Sequence, residues 1–595
     1  MAGQASPQQG YFAVSNSSAA SLASSPNATP SPFQSTPTGD PGHSPNRPSS
    51  LTASLSGKYH LTADPTEWGV DISRPEPDDT LHDPRRDKKS HNVFTRRGIL
   101  NVGCIALLAA ILLGLFLGYP IAYHLTHNNS TATSSALVNS SGQVASMGNF
   151  GLIDLNTPKE FYKIASYHDP SKEMQLVFSD EFEEEGRTFY PGDDPYWEAV
   201  DMHYWSTGDL EWYDPAAVTT RGGALEINLT HFDDISLNHN LEYRSGMMST
   251  WNKFCFTGGL ILANVMLPGT TNVFGLWPAI WTMGNLGRAG YGATLEGTWP
   301  YSYDACDVGT MPNQTSNGGP PAALNTGKDG TALSFLTGQR LSRCVCPGES
   351  HPGPVHEDGT YVGRSAPEID MFEAQIGGPD DAHVGQVSQT AQWAPFNAGY
   401  NWDNSSANLE IRDLTLSSQN TYAGSMYQQA TSVVTTTNQD CYQLKKQCYA
   451  VQGFEYIPGY DQAVCLPSIL SYAFRTNSAA VSWTMRAAAA GADAATEISA
   501  RPITQEPLYI LVNLGFSHSF SWIDFDKLIF PATMRVDWIR VYQPQDKINI
   551  GCDPAERPTA AYINTYLEAY TNPNLTTWHD DYKQPVPKSK LNGGC

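Results

Sequence analysis

The residues best suited to chemistry are three carboxylates within six positions of the stretch SAPEIDMFEAQ: Glu368, Asp370 and Glu373. Apolar residues typical of strands surround them, and charged side chains are costly to bury unless they are paired or used. Side chains two positions apart in a strand share a face, so Glu368 and Asp370 point the same way. Glu373 joins them only if one extra residue, a β-bulge, interrupts the alternation.

With that bulge, the three acids line one face of a sheet. Two carboxylates about 5 Å apart can act as nucleophile and acid/base in retaining glycoside hydrolysis. Because the pattern E-x-D-x-x-E is short, a solvated acidic strand edge is the alternative. The sequence predicts the functional arrangement, provided that the rest of the chain forms a suitable sheet.

The composition of the chain changes twice before these acids, and each change marks a different segment. Residues 1–97 begin with a stretch rich in Ser, Pro, Ala and Thr that has few large apolar side chains, which predicts a disordered tail. Residues 98–123 then form a run of 26 without a charge. About 20 apolar residues span a bilayer as a helix, so the run predicts a transmembrane helix, with a buried soluble helix as the alternative.

Charge on either side of this run predicts its orientation. Lys and Arg residues crowd positions 85, 86, 88, 89, 96 and 97, whereas the next one after the run is Lys159. The positive-inside rule then places residues 1–97 in the cytoplasm and the chain beyond residue 125 in a lumen or outside the cell. The sequence predicts a single-pass type II membrane protein, with a signal-anchor helix at 98–123, in the endoplasmic reticulum, the Golgi or the plasma membrane.

Sequons and cysteines agree with that orientation. Sequons beyond the helix occur at Asn128, Asn129, Asn139, Asn228, Asn313, Asn404 and Asn574, whereas those at Asn16 and Asn27 should stay unmodified in the cytoplasm. Nine of the ten cysteines also lie beyond the helix. The expected disulfides are Cys306 with Cys344 or Cys346, two partners among Cys441, Cys448 and Cys465, and Cys552 with Cys595, although spacing alone does not fix connectivity.

The net charge differs between the two sides of the predicted helix. Residues 1–97 hold nine Lys or Arg and nine Asp or Glu, so the whole net charge of −24 falls beyond residue 125. This charge argues against a nucleic-acid partner, because nucleic-acid binding needs a basic surface. It suits a glycosylated domain that handles a neutral substrate.

Short apolar or alternating runs recur over residues 173–543, between Gly, Pro and Asn. They include MQLVF, ALEINLT, GLILANVML, PLYILVNLGF and MRVDWIRVYQ. This rhythm predicts an antiparallel β-sandwich over 173–543, after a luminal stalk at 124–172 and before a disulfide-stapled extension at 544–595. Two long insertions, about 286–365 and 403–470, are expected to form walls or lids of a cleft, or separately stapled loops.

Several of these stretches together resemble glycoside hydrolase family 16. The matching stretches, in the family's order, are LVFSDEF (176–182), GLWPAIWTMGN (275–285), EIDMFE (368–373), LYILVNLG and MRVDWIRVYQ (534–543). The N-terminal helix, WPYSYDACDVG (299–309), the insertions and the tail WHDDYKQPVPKSK resemble more narrowly the fungal β-glucan synthesis-associated proteins. Those are type II membrane proteins implicated in assembling cell-wall β-1,6-glucan.

The resemblance implies an all-β, concanavalin-like β-jelly-roll sandwich whose concave sheet forms a sugar cleft. It also implies that Glu368 is the nucleophile, Glu373 the general acid/base and Asp370 a helper that orients Glu368. Glu368 must be ionised to attack an anomeric carbon. Glu373 must begin protonated, so its pKa should be raised by burial and by neighbouring negative charge.

Aromatic side chains are expected on the floor of such a cleft, because pyranose faces stack on aromatic rings. Trp277 and Trp281 are four positions apart and share a face in a regular strand, and Trp393 lies on what should be the next strand. Core packing is an equal alternative for each of these rings. Arg244 is a weaker candidate for contact with sugar.

One departure from the family concerns the strand after the catalytic one. Many family members carry a His there, whereas this chain has Gln389 and Gln392 in VSQTAQWAP. The replacement is expected to alter the sugar subsite or to favour an acceptor other than water.

Two classes of function fit these residues. The leading hypothesis is a membrane-anchored glycosidase or transglycosylase that acts on β-glucan polysaccharide, with glucan synthesis or secretory-pathway proteins as further partners. The alternative is a non-catalytic, lectin-like glucan-binding scaffold, against which the intact acids argue. No His/Cys spacing of the zinc kind is present, so no cofactor or metal is predicted, and a structural calcium has no support in the sequence.

Overall fold

The computed structural model describes residues 151–324, 334–378, 382–394, 400–459, 463–466 and 481–595. The predicted tail at 1–97, the predicted anchor helix at 98–123 and the sequons at Asn128, Asn129 and Asn139 lie outside the described residues. Within the described ranges, no helix is both long enough and apolar enough to cross a membrane.

The strands of the described part form two β-sheets and its helices are short, so the all-β prediction is confirmed. The strands, in chain order, are β1 (Lys163–Ala165), β2 (Glu173–Asp180), β3 (Glu198–Ala199), β4 (Met202–His203), β5 (Glu211–Tyr213), β6 (Val218–Thr220), β7 (Leu225–His231), β8 (Tyr243–Ser245), β9 (Met247–Ser249), β10 (Gly259–Met266), β11 (Leu276–Gly284), β12 (Glu368–Gly377), β13 (Val384–Trp393), β14 (Leu409–Ile411), β15 (Ser417–Gln419), β16 (Gln429–Thr436), β17 (Ala450–Tyr456), β18 (Ala463–Leu466), β19 (Trp483–Arg486), β20 (Leu508–Phe516) and β21 (Ala532–Pro544). Each apolar run singled out in the sequence forms a strand, because β-branched and aromatic side chains suit a half-buried pleated surface.

The smaller sheet has the order β15-β16-β13-β12-β11-β20-β9-β3, and it carries the three acids on β12. The larger sheet has the order β14-β19-β18-β17-β10-β21-β7-β8-β5-β4, with β1, β2 and β6 attached at its side. Pairing is antiparallel throughout the strands that the structure describes, except between β5 and β8. Because β1 pairs with β2, the end of the predicted stalk belongs to the sheet.

The main core lies between the two sheets. Val536 and Ile539 of β21 are fully buried there, together with Ile280 of β11 and Val512 of β20. One face of the smaller sheet is therefore committed to the core. The opposite face is the one that can hold a site.

That opposite face is covered as well. Met283 of β11 and Tyr509 of β20 belong to a second buried apolar cluster, which also contains Leu295 and Trp299 from the first insertion. The insertion therefore folds over the sheet and forms the wall that the sequence predicted.

Helices are short: they are α1 (Gly292–Leu295), α2 (Ala560–Thr565) and α3 (Leu567–Thr571), and the 3-10 helices are Lys159–Phe161, Trp205–Thr207, Pro215–Ala217, Ile235–Leu237, Val308–Thr310, Pro312–Gln314, Pro321–Ala323, Ala487–Ala490 and Lys590–Asn592.

Disulfides fasten the insertions and the C-terminal extension. They are Cys255–Cys552, Cys306–Cys344, Cys346–Cys595 and Cys441–Cys448. The pairing of Cys306 with Cys344 and a pair within the second insertion are confirmed. The predicted bond between Cys552 and Cys595 is wrong, because the extension packs back over the first insertion and each of these cysteines reaches a different partner. The side chain of Cys465 lies outside the described part.

Removing the bond between Cys255 and Cys552 tests how firmly the extension is held. Replacing both by serine is expected to lower the free energy of unfolding by roughly 3–5 kcal/mol, because the bond joins residues 297 positions apart. The matched control replaces Cys441 and Cys448, which are only 7 positions apart, and should cost roughly 2 kcal/mol. Denaturant unfolding of the full chain measures both, and a larger loss from the short loop would contradict the expectation.

Candidate active site

The predicted bulge lies in β12. Glu368, Asp370 and Glu373 pair with positions 392, 390 and 388 of β13, so two residues of β12 face a single residue of β13. Positions 388, 390 and 392 share a face because they are two apart. The prediction that a bulge returns Glu373 to the face of the other two acids is therefore confirmed.

The apolar residues between the acids explain this bulge. Ile369, Met371 and Phe372 are all buried in the core between the sheets. Strict alternation would place Phe372 on the face of Glu368 and Asp370. The bulge lets Met371 and Phe372 both reach the core, so the burial of two large apolar side chains fixes the direction of Glu373.

β11 and β20 form the floor beside the acids. Trp277, Ala279 and Trp281 alternate along β11, and Ala279 pairs with Glu373 on one side and with Asn513 on the other. Nε1 of Trp281 donates a hydrogen bond to Oδ1 of Asn513 at 2.8 Å. Because Ala279 is small, a depression remains between Glu373 and Asn513.

The resulting pocket is partly open, but the residues that line it are almost completely buried. Its lining residues are Tyr204, Thr207, Asp209, Tyr213, Met247, Trp277, Ala279, Trp281, Glu368, Asp370, Glu373 and Asn513. The most exposed of them, Trp281, is 9% exposed, whereas Glu368 is 4% and Asp370 2% exposed. Exclusion of water strengthens every electrostatic interaction inside such a site.

Glu368 and Asp370 interact as a buried pair. Burial raises the pKa of Glu368 to about 7; hydrogen bonds from Asp370 and Trp299 oppose the rise, and the charge of Glu373 adds to it. Burial also raises the pKa of Asp370 well above its usual range, helped by the charge of Glu368 and opposed by a hydrogen bond from Gln392. Near neutral pH, Asp370 therefore keeps its proton and donates it in a hydrogen bond to Glu368, as its predicted orienting role requires.

Glu373 is held by the floor of the pocket. Nε1 of Trp277 donates to Oε1 of Glu373 at 3.0 Å, and Oγ of Ser388 lies 3.5 Å from Oε2. Trp277 itself stacks on Phe520, with ring centroids 4.3 Å apart and planes 2° apart. A tryptophan fixed in this way positions Oε1 of Glu373, and the Ser388 hydroxyl lies beside Oε2.

Trp299 is a site residue that the sequence analysis did not identify. Its Nε1 donates to Oε2 of Glu368 at 2.5 Å, although the two residues are 69 positions apart. Trp299 comes from the first insertion and is 3% exposed. The stretch WPYSYDACDVG marks a family resemblance, but nothing in its spacing indicates a contact with Glu368.

Two of the predicted sugar-binding residues do not line the pocket. Trp393 is buried between the sheets, where its Nε1 donates to Oγ1 of Thr431 at 2.9 Å. The reason is alternation: position 393 points away from the face shared by positions 388, 390 and 392. Arg244 lies on β8 of the larger sheet, where it faces Asp214 at 3.7 Å and the ring of Phe232.

Gln389 and Gln392, the two glutamines on the strand after the acids, lie on opposite faces of β13. Gln392 lies opposite Glu368, and its Nε2 donates to Oδ2 of Asp370 at 3.2 Å. Gln389 lies on the core side, where its Nε2 donates to the carbonyl oxygen of Met371 in the bulge at 3.2 Å. Gln392 is therefore the one that tunes the acids, whereas Gln389 supports the bulge.

The arrangement can perform nucleophilic and acid/base chemistry at a sugar carbon. A buried carboxylate, Glu368, is oriented by two donors, and a second glutamate, Glu373, lies on the same face. Across the residues that the structure describes, no group of three or more His, Cys, Asp or Glu side chains is arranged to hold a metal ion. The roles of the acids stay a prediction.

Comparison with known proteins gives a family. A sequence model described as Beta-glucan synthesis-associated protein SKN1/KRE6/Sbg1 matches residues 68–595. Beta-glucan synthesis-associated protein SKN1 of Candida albicans is 39% identical over 557 residues, which cover 88% of this chain and 67% of that protein. Beta-glucan synthesis-associated protein KRE6 of Saccharomyces cerevisiae is 39% identical over 542 residues, which cover 88% of this chain and 69% of that protein.

Solved structures are more distant. An endo-β-1,3-glucanase from Pyrococcus furiosus is 16% identical, with a TM-score of 0.35, and the match covers 64% of this chain and 98% of that one. The catalytic domain of a laminarinase from Thermotoga petrophila is 16% identical, with a TM-score of 0.33, and the match covers 63% of this chain and 99% of that one. The two-sheet fold is therefore described from the strands of this chain alone.

The raised pKa of Glu368 makes stability depend on pH. As pH rises above the ordinary glutamate range, the unfolded chain loses this proton first, so the folded state loses stability until about pH 7. Glu368→Gln removes this loss, and its stability relative to the unmodified chain should rise by up to about 3 kcal/mol between pH 4 and pH 8. Denaturant unfolding at several pH values measures this difference.

The matched control is Glu506→Gln, which acts on another buried carboxylate. Glu506 receives two hydrogen bonds of 2.8 Å from Arg364, so its replacement leaves a buried guanidinium without its charged partner. This variant should lose about 3–5 kcal/mol at neutral pH. If Glu368→Gln behaved like Glu506→Gln, the account of Glu368 as a desolvated, strained carboxylate would be wrong.

Proposed function

The chain belongs to the SKN1/KRE6/Sbg1 family of β-glucan synthesis-associated proteins, and on that premise we propose that it is a retaining glycosidase or transglycosylase of cell-wall β-glucan assembly. The observation that carries the proposal is the bulged strand, which brings Glu368, Asp370 and Glu373 to one face of a pocket lined by buried residues. A protein that only binds sugar has little need for acids buried in this way, because each of them is costly to bury. The sandwich resembles that of glycoside hydrolase family 16.

The proposed reaction has two steps. Glu368 attacks the anomeric carbon of a glucosyl unit and forms an ester, while Glu373 gives its proton to the oxygen of the departing sugar. Glu373 then takes a proton from an acceptor hydroxyl, which attacks the same carbon and releases Glu368. Asp370 and Trp299 orient Glu368 for the first step, since both donate hydrogen bonds to it.

Transfer to a second sugar is favoured over hydrolysis by the residue opposite the nucleophile. Gln392, at the position across from Glu368, stands on the strand where many relatives of glycoside hydrolase family 16 carry a His. The acceptor proposed here is a hydroxyl of another β-glucan chain, and β-1,6-glucan is the product that the family resemblance implies.

The site is tested by replacing its two glutamates in the full-length chain. We expect Glu368→Gln and Glu373→Gln each to reduce activity on β-1,3- and β-1,6-linked gluco-oligosaccharides at least 1,000-fold, about 4 kcal/mol of transition-state stabilisation. The control is Glu410→Gln, which changes an exposed carboxylate paired with Arg412 and should leave activity intact. Product masses decide the reaction: longer products mean transfer, and only shorter ones mean hydrolysis.

The scaffold alternative makes the opposite prediction in cells. If wall-glucan assembly survives when Glu368→Gln protein is present at normal abundance, catalysis is not the function of the site. The lectin-like glucan-binding scaffold then replaces the enzyme proposal.

We also propose that residues 98–123 anchor the protein in a membrane of the secretory pathway, with the sandwich on the luminal or outer side. The uncharged run and the Lys and Arg residues before it support this topology. The four disulfides found among the described residues support it too, because such bonds persist in oxidising compartments.

N-glycans test this topology. Asn404 and Asn574 are exposed, whereas Asn228 and Asn313 are partly buried. Asn404→Gln and Asn574→Gln should each remove one glycan, seen as faster migration that glycosidase treatment abolishes. The control Asn27→Gln should change nothing, since the tail is placed in the cytoplasm. Loss of a glycan from Asn27, with none lost from Asn404 or Asn574, would reverse the topology.

A further inference from the structure

The pocket has a second polar wall, separated from the acids by β11. Asp209 lies between the 3-10 helix Trp205–Thr207 and β5, and forms a backbone bridge to Ser517 just after β20. Asp209 and Tyr204 both line the pocket, and each is 5% exposed. The residues of the floor, Trp277 and Trp281, therefore lie between two groups of carboxylates.

Asp209 is held as an acceptor by its neighbours. Oγ1 of Thr207 donates to Oδ1 of Asp209 at 2.6 Å. Burial raises the pKa of Asp209 to about 6, against hydrogen bonds from Thr207, Glu211 and Tyr213 and the charge of His203. Burial and the charge of Asp209 raise the pKa of Glu211 well above its usual range. At neutral pH, Asp209 is therefore the ionised member of this pair.

The hydroxyl of Tyr204 is buried in the same pocket without a hydrogen bond of normal geometry to any residue that the structure describes. Burial and the charges of Glu368 and Asp209 raise the pKa of Tyr204 well above its usual range, and an interaction with the Ser206 hydroxyl opposes the rise. Tyr204 therefore stands close to both walls. A buried hydroxyl without a well-formed hydrogen bond costs free energy unless a ligand supplies the missing partner.

We propose that Tyr204 and Asp209 bind the hydroxyl groups of the glucosyl unit that occupies this pocket, and so select a glucan over an apolar or acidic ligand. This inference rests on the proposed function. A glucosyl ring carries hydroxyls that donate and accept, which suits a carboxylate acceptor beside a tyrosine hydroxyl. Its apolar face suits Trp277 and Trp281 on the floor. The ring would then lie with Glu368 on one side and Asp209 on the other.

The test measures binding apart from turnover. In the full-length chain with Glu373→Gln, calorimetry with a β-1,3- or β-1,6-linked gluco-oligosaccharide gives the Kd. Adding Tyr204→Phe should weaken binding about 5-fold, and adding Asp209→Asn about 20-fold, as expected for a neutral and a charged hydrogen bond. The Tm of the sugar-free Tyr204→Phe protein should fall little, because the contact with the neighbouring Ser206 hydroxyl is the interaction that this change removes.

The matched control is Tyr301→Phe. The hydroxyl of Tyr301 is also buried and makes no hydrogen bond to a residue within the described ranges, but Tyr301 belongs to another cluster and does not line the pocket. This variant should leave the Kd unchanged.

Three outcomes would overturn the inference, and they separate it from the proposed function. Unchanged binding in Tyr204→Phe and Asp209→Asn, with firm binding by the parent protein, removes the inference alone. A fall in Tm of Tyr204→Phe in proportion to the loss of affinity makes the hydroxyl structural. Absence of binding by the parent to any β-glucan oligosaccharide removes both proposals.

Discussion

Burial of Met371 and Phe372 on one side of β12 is the constraint on which the site depends. Two adjacent large side chains cannot both reach the core in a regular strand, because neighbours alternate between faces. The strand therefore carries an extra residue, and Glu373 returns to the face of Glu368 and Asp370. The geometry of the acids is thus fixed by apolar packing on the reverse of the sheet, where no sugar reaches.

The pocket built on this strand buries its acids, and burial of a charged carboxyl group costs free energy. Burial favours neutral carboxyls, and in each of the two buried pairs the member with the higher pKa keeps its proton near neutral pH: Asp370 beside Glu368, and Glu211 beside Asp209. The neutral member then stabilises the charged one as a hydrogen-bond donor. Because Trp299 also donates to Glu368, the first insertion contributes directly to the chemistry as well as covering the sheet.

The sequence predicts what depends on local alternation and composition. The two sheets, the bulge and the placement of Trp277 and Trp281 all follow from short runs of residues on single strands. The sequence does not predict contacts between residues that are far apart in the chain. Trp299 of the first insertion contacts Glu368, and Cys552 bonds to Cys255. Trp393 packs in the core, which is the alternative that the sequence left open for it, because position 393 points to the opposite face from position 392. Which face of β13 turns to the core follows from its pairing with β12, and no local pattern contains that information.

The most direct test of the account is a trapped intermediate. A 2-deoxy-2-fluoro-β-glucosyl donor with a good leaving group slows the second step, so that the ester on the nucleophile accumulates in the full-length chain. Peptide mass mapping after proteolysis should place one fluoroglucosyl group on Glu368, and Glu368→Gln should abolish the label. A label on Asp370 or Glu373, or none at all with a donor that the protein binds, would contradict the account.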